Sequence, residues 1–146
     1  VATAPVKPGP RPASIDELRI PHPLGAQFGA IRLLGYGLTL VGQDIERTTF
    51  APDDSIDLSL FWESVEPAAA NAQYRLELRP AGSLLPGRPL AFDTLVPQYP
   101  TSMWATGDRY RDQHRLQLPQ DAHGDFDLML GLNGRDFTSL SPIHLR

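Results

Sequence analysis

Two aspartates spaced for glycoside chemistry lie in "DFDLMLGL", at Asp125 and Asp127. Residues two apart in a strand share a face and lie about 6.5–7 Å apart, and paired carboxylates at a comparable separation can hydrolyse a glycosidic bond. The alternation of this segment turns both aspartates toward solvent, which favours an ordinary hydrated strand face. A D-x-D metal motif of a nucleotide-sugar transferase would require an α/β pattern that the sequence lacks.

The histidines offer no catalytic arrangement in the sequence. A hydrolase triad needs a nucleophile, a histidine and an orienting acid, and there is no G-x-S-x-G turn. His22 lies between prolines, His123 in a predicted turn and His144 near the C-terminal end, while His114 stands alone on a predicted strand. We interpret these side chains as solvated surface histidines and predict no enzyme activity, so a glycoside-acting hydrolase ranks third among our hypotheses.

The acidic stretch "APDDSID" could supply oxygen ligands to Ca²⁺, which binds six to eight oxygens. Its candidates are Asp53, Asp54, Ser55 and Asp57. The stretch lacks the spacing and the glycine of an EF-hand loop. A turn in which aspartates accept hydrogen bonds from nearby backbone amides explains it better, and we predict no metal and no cofactor.

Carbohydrate binding by a β domain uses an exposed ring against the apolar face of a pyranose, with polar groups for the hydroxyls. Our candidate ligand-binding residues are Tyr36, Tyr99, Trp104, Arg109 and Arg111. Tyr36 lies between Gly35 and Gly37, so a bend there either presents its ring or tucks it inward at a bulge. For Trp104, in a predicted loop, we favour an anchor in the core over a ligand platform.

Three arginines, Arg109, Arg111 and Arg115, share one face of the predicted strand in "RYRDQHRLQL". A guanidinium can bind a carboxylate or a phosphate with two parallel hydrogen bonds. Charge on an edge strand also prevents sheets from pairing with other chains, and we favour this second interpretation. Glu77, on a neighbouring predicted strand, is a candidate ion-pair partner.

Alternation of apolar and polar residues runs through most of the chain and predicts strands with one face on a core. It is strict in Ile56–Glu63, Tyr74–Arg79 and Asp125–Leu132, and weaker in Ile31–Leu40, Ile45–Phe50, Leu90–Leu95, Tyr110–Leu118 and Ile143–Arg146. No helical segment is long enough for parallel crossovers. The sequence therefore predicts an all-β, immunoglobulin-like antiparallel β-sandwich of about eight strands.

Composition is that of one globular domain behind a linker. The chain has 146 residues, 41% of them hydrophobic, and a net charge of −4, which predicts no nucleic-acid partner; no apolar run reaches the ~18 residues of a membrane span. We predict a proline-rich linker with at most a short helical turn over residues 1–23 and the sandwich over 24–146. The chain begins at Val1 rather than methionine, so we expect a segment of a longer protein.

Several segments, in order, resemble one family of bacterial domains. They are "LLGY" (Leu33–Tyr36), "PDDSIDLSLFW" (Pro52–Trp62), "YRLEL" (Tyr74–Leu78), "YPTSMWATG" (Tyr99–Gly107), "LQLP" (Leu116–Pro119) and "GDFDLMLGL" (Gly124–Leu132). Over roughly Phe28 to Leu132 the chain resembles the soluble C-terminal β-sandwich domains appended to bacterial multi-spanning membrane glycosyltransferases of the mannosyltransferase type. The resemblance implies an extracytoplasmic accessory module, tethered to the membrane through its parent protein.

The lead hypothesis is a non-catalytic accessory module that binds carbohydrate. Its partners would be the glycan and the upstream membrane domain of the same polypeptide, with no nucleic acid and no direct insertion into the membrane. The alternative is a structural or protein-interaction domain that docks on its parent enzyme without a small ligand. Such a domain would expose an apolar patch.

Overall fold

The computed structural model describes residues 19–67, 71–81, 91–95, 97, 100–133 and 135–146, with the backbone alone for 91–95 and 135–136. Most of the predicted linker, with its helical turn, and Tyr99 lie outside these residues. A short 3-10 helix spans Thr101–Met103, and within the described ranges no helix has the length and apolar character needed to cross a membrane. The strands there are β1 His22–Phe28, β2 Ile31–Leu40, β3 Thr49–Phe50, β4 Ser55–Ser64, β5 Tyr74–Pro80, β6 Ala91–Leu95, β7 Arg109–Gln117, β8 Gly124–Leu132 and β9 Arg135–Leu145.

Two sheets pack face to face, which confirms the predicted β-sandwich. The first sheet has the order β1-β2-β4-β7 and the second the order β3-β9-β8-β5-β6. Neighbouring strands pair antiparallel, as expected, except that the two-residue β3 lies parallel to β9. β7 is an edge strand of the first sheet, which is where the arginine pattern placed it.

One core fills the space between the sheets. Ile56, Leu58, Leu60 and Trp62 of β4 are all buried, as their period-two spacing predicted. Trp62 stacks on Tyr74 of the second sheet with ring centroids 5.2 Å apart. Aromatic burial of this kind is a large part of sandwich stability.

Three strands differ from their predictions. β1 begins at His22, inside the predicted linker, because an edge strand tolerates proline such as Pro23. The stretch predicted as Ile45–Phe50 keeps only β3 and an isolated bridge between Thr39 and Glu46. β9 begins at Arg135, well before the predicted Ile143.

Candidate functional site

The outer face of the first sheet carries a cleft of about 400 Å³, within the volume range of small-molecule sites. Three strands form its floor, since Gly37, Ser59 and Gln113 lie side by side in register. The chain before β1 and the loop after β2 form its walls. The lining residues are Arg19, Pro21, Gly37, Thr39, Gln43, Asp44, Glu46, Asp57, Ser59, Phe61, Arg111 and Gln113.

The first wall depends on two glycines of β2. A Cβ on Gly35 would lie 2.3 Å from Ile20 Cγ2 and 2.4 Å from the His22 carbonyl oxygen. A Cβ on Gly37 would lie 3.2 Å from Pro21 Cγ. Because glycine has no side chain, the segment before β1 can lie directly on the sheet and border the cleft.

The second wall is held by Glu46. Its Oε1 accepts a hydrogen bond of 2.6 Å from the Leu38 backbone N–H and lies 3.0 Å from His22 Nε2. The backbone N–H of Arg47 donates to the Leu38 carbonyl at 3.2 Å. These contacts tie the loop after β2 back onto its own strand and onto the start of β1.

The floor presents donors that are anchored by a shared hydroxyl. Ser59 Oγ accepts from Gln113 Nε2 at 3.2 Å and from Arg111 Nη2 at 3.5 Å. The Arg111 guanidinium lies 5.9 Å from the centroid of the Phe61 ring. Phe61 lines the cleft on the outer face yet is only 3% exposed, and the Arg111 guanidinium lies over its ring.

Tyr36 is tucked inward. It is buried among the core residues, the His22 ring stacks on it at 4.8 Å, and the register shifts between Leu33 and Gly35. The ring therefore points inward, close to a bulge that lies between Leu33 and Gly35, and it is not presented to a ligand at the surface.

Trp104 anchors its loop. Its side chain is buried and stacks on Tyr110 with centroids 4.5 Å apart. Tyr110 Oη accepts a hydrogen bond of 3.0 Å from the Ala105 N–H. The favoured interpretation is confirmed, and the alternative of a ring exposed as a ligand platform does not hold in this structure.

The two arginines predicted to bind a ligand lie in different environments. Arg111 lines the cleft, whereas Arg109 pairs with Glu63, Nη2 to Oε2, at 2.9 Å. The expected partner Glu77 was wrong, because it lies in the second sheet between Arg75 and Arg79. Burial raises the pKa of Glu77, but hydrogen bonds from the two arginines outweigh it and hold that pKa below its ordinary value.

The structure shows a buried polar cluster of Asp112, His114 and Tyr74 that the sequence did not predict. His114, expected at the surface, has a side chain only 10% exposed, and its Nε2 lies 2.5 Å from Oδ2 of the buried Asp112. Burial and the Asp112 charge raise the pKa of the nearby Tyr74 well above its ordinary value. The available signal was parity, because Asp112 and His114 have the same parity as the inward Tyr110 and Leu116 and so share their face of β7.

The other acidic candidates are engaged in local contacts. Asp125 is exposed and accepts from His144 Nδ1 at 2.8 Å and from Arg146 Nη2 at 2.7 Å, hydrogen bonds that lower its pKa. Asp54 accepts from the Ala51 N–H at 2.8 Å, as expected for a turn. In the part of the chain described, no cluster of three or more His, Asp or Glu side chains could hold a metal ion.

No protein-family model matches this sequence, and no curated protein matches it. Solved structures do. The C-terminal domain of wzt is 16% identical, with a TM-score of 0.57 over 96% of this chain and 82% of that one. The likeness is in the fold. An alkylpurine DNA glycosylase, AlkC of Pseudomonas fluorescens, bound to DNA containing an abasic site analog, is 15% identical with a TM-score of 0.54 over 80% of this chain.

This chain spans only 30% of the length of AlkC, so the sandwich corresponds to a part of that protein. The wzt structure is itself a C-terminal domain. The β-sandwich seen here thus also occurs as an appended domain of longer proteins. This agrees with the expectation of an appended β-sandwich domain.

Proposed function

We propose that this chain is a non-catalytic accessory module that binds carbohydrate in the cleft of the first sheet. The observation that carries the proposal is the cleft itself, about 400 Å³ in volume and lined by planar polar groups. Carboxylates of Asp44 and Asp57 can accept hydrogen bonds from sugar hydroxyls. The guanidinium of Arg111 and the amide of Gln113 can donate them.

Preorganisation supports this role. Arg111 and Gln113 project from β7 and share the hydroxyl of Ser59 on β4. Side chains held by a rigid sheet lose less entropy when a ligand binds than side chains on a mobile loop. A hydroxyl-rich ligand would therefore meet donors already in place.

The setting that we propose is an extracytoplasmic or membrane-linked bacterial protein. The resemblance to domains appended to membrane glycosyltransferases supports it, as does the occurrence of the same fold as a C-terminal domain. In this setting the upstream membrane domain tethers the module, and a glycan is its ligand.

A glycan array followed by calorimetry tests the proposal. Thr39→Trp should fill the cleft and abolish binding of any glycan that the wild-type protein captures, because Thr39 lies on the floor and tryptophan suits a strand. Ser139→Trp, at an exposed position of β9 in the second sheet, is the matched control and should bind normally. The absence of any glycan ligand, or equal binding by both variants, would overturn the proposal.

A structural or protein-docking role is the second candidate. Ile45 is 65% exposed and lies between two residues that line the cleft, Asp44 and Glu46. An exposed apolar side chain at this position can contact a partner protein. Loss of binding to the upstream domain in Ile45→Asp, with no glycan ligand found, would favour this role.

A further inference from the structure

The charged residues that line the cleft differ in whether they already form an ion pair within the protein. Two arginines and three carboxylates line it: Arg19, Arg111, Asp44, Glu46 and Asp57. An ionic group that already has a partner gives up part of that interaction when it binds a ligand. The groups without an ion pair can therefore bind a charged ligand at the least cost.

Two of the three carboxylates have partners. Glu46 accepts from the Leu38 N–H at 2.6 Å and lies 3.0 Å from His22 Nε2. Asp57 Oδ1 accepts from Arg115 Nε at 3.3 Å. Among the cleft carboxylates that the structure describes, this leaves Asp44 without an ion pair.

Neither arginine of the cleft has an acidic partner among the residues that the structure describes. Arg109 and Arg115, on the same face of β7, pair with Glu63 and Asp57. Arg111, between them, forms no ion pair within the described ranges, and neither does Arg19. Two guanidinium groups are thus available to pair with an anionic ligand, even though the three carboxylates of the lining outnumber its two arginines.

Arg111 is also held in a geometry suited to an anion. Its guanidinium lies over Phe61 and contacts Ser59 Oγ at 3.5 Å, while the residue stays exposed. A planar guanidinium fork matches the two oxygens of a carboxylate or a phosphoryl group. Arg19, on the opposite wall, has a φ of +48°, a left-handed conformation that non-glycine residues seldom adopt.

We propose that the cleft selects acidic saccharides, with Arg111 binding a carboxylate or phosphoryl substituent and Arg19 supporting it from the wall. The inference rests on the proposed carbohydrate function and makes it narrower. The neutral part of the saccharide lies along Gln113 and Asp57, and the anionic substituent points toward Arg111.

Matched ligands test the inference by calorimetry. The three probes are a neutral hexose tetrasaccharide, its C6-oxidised uronate and its 6-phosphate, each measured in 20 mM and 200 mM NaCl. We expect at least one anionic probe to bind about tenfold or more tightly than the neutral one at low salt, and the advantage to shrink at high salt. A carboxylate ligand and a phosphoryl ligand are distinguished by which probe shows the larger ratio.

Variants of Arg111 test whether this residue causes the preference for anionic ligands. Arg111→Gln should bring the ratio of anionic to neutral affinity to about one, and Arg111→Lys should keep part of it, because lysine retains the charge without the fork. Arg146→Gln, an exposed arginine on β9's side of the molecule, is the control and should keep the full ratio. Measurable neutral binding with a wild-type ratio of one overturns this inference and leaves the carbohydrate function standing. Binding of none of the probes, nor of any arrayed glycan, overturns both.

Discussion

Asp112 and His114 form a hydrogen-bonded polar pair on the inward face of β7, between Tyr110 and Leu116. Asp112 is 1% exposed, and the two side chains meet at 2.5 Å. His114→Leu should lower the free energy of unfolding by about 3 kcal/mol, because it deprives a buried carboxylate of this hydrogen bond. Chemical denaturation measures the change, and His123→Leu, at an exposed turn position, should change stability little.

The double variant sharpens this prediction. Asp112→Leu combined with His114→Leu removes both polar groups, and a buried polar pair can often be replaced by apolar residues with little loss. We expect the double variant to be more stable than His114→Leu alone. A double variant that loses as much as the two single changes added together would contradict a coupled pair.

Trp104 is a second single residue whose replacement should change stability. Trp104→Ala should cost about 3–5 kcal/mol, the range for truncation of a large buried aromatic, because the ring is buried against Tyr110. Trp104→Phe should cost less, since it keeps part of the stacking. Thermal unfolding measures both, and a Trp104→Ala variant of unchanged stability would refute the anchor.

At the scale of the elements, the pairing of β1 with β2 depends on Gly35. Gly35→Ala should destabilise the protein by about 1–3 kcal/mol, because its Cβ would lie 2.4 Å from a backbone oxygen of His22 that must move. Amide hydrogen exchange should rise mainly in β1. Gly25→Ala, where a Cβ meets nothing within 4 Å, is the matched control; equal exchange in both variants would argue against this close approach.

The strands themselves were predictable where alternation was strict. β4, β5 and β8 matched their predictions because period two is visible within a few residues. β1 was missed because Pro23 and Gly25 hide the alternation and only an edge position makes them tolerable. Of the predicted strand Ile45–Phe50, only Thr49–Phe50 forms β3, while Glu46 pairs with β2 through a bridge to Thr39 and a hydrogen bond from the Leu38 N–H.

At the scale of the whole molecule, two ionised carboxylates make folding dependent on pH. The pKa values of Glu77 and Asp125 are lowered in the folded state, so the unfolded chain binds more protons in acid. Their stabilisation is complete above the unfolded carboxyl pKa values of about 4 and is lost as the pH falls through the lower folded values.

Urea unfolding at pH 6, 5, 4 and 3 measures this dependence. The wild-type protein should lose stability steadily below about pH 5. Glu77→Gln should be less stable at pH 6 and should lose less between pH 6 and pH 3, because its side chain cannot be protonated in this range. Parallel curves for the variant and the wild type would show that Glu77 does not contribute.

By itself the sequence determined the fold class and the inward face of the strands whose alternation is strict, since alternation is a local property. It also favoured a buried Trp104, because of the size of the ring. It also placed Arg111 on the outer face of an edge strand. Only the tertiary structure decided the cleft, because its floor joins β2, β4 and β7 and its walls come from Pro21 and Glu46. Strand register and the path of a chain across a sheet arise from contacts distant in sequence, and no local pattern records them.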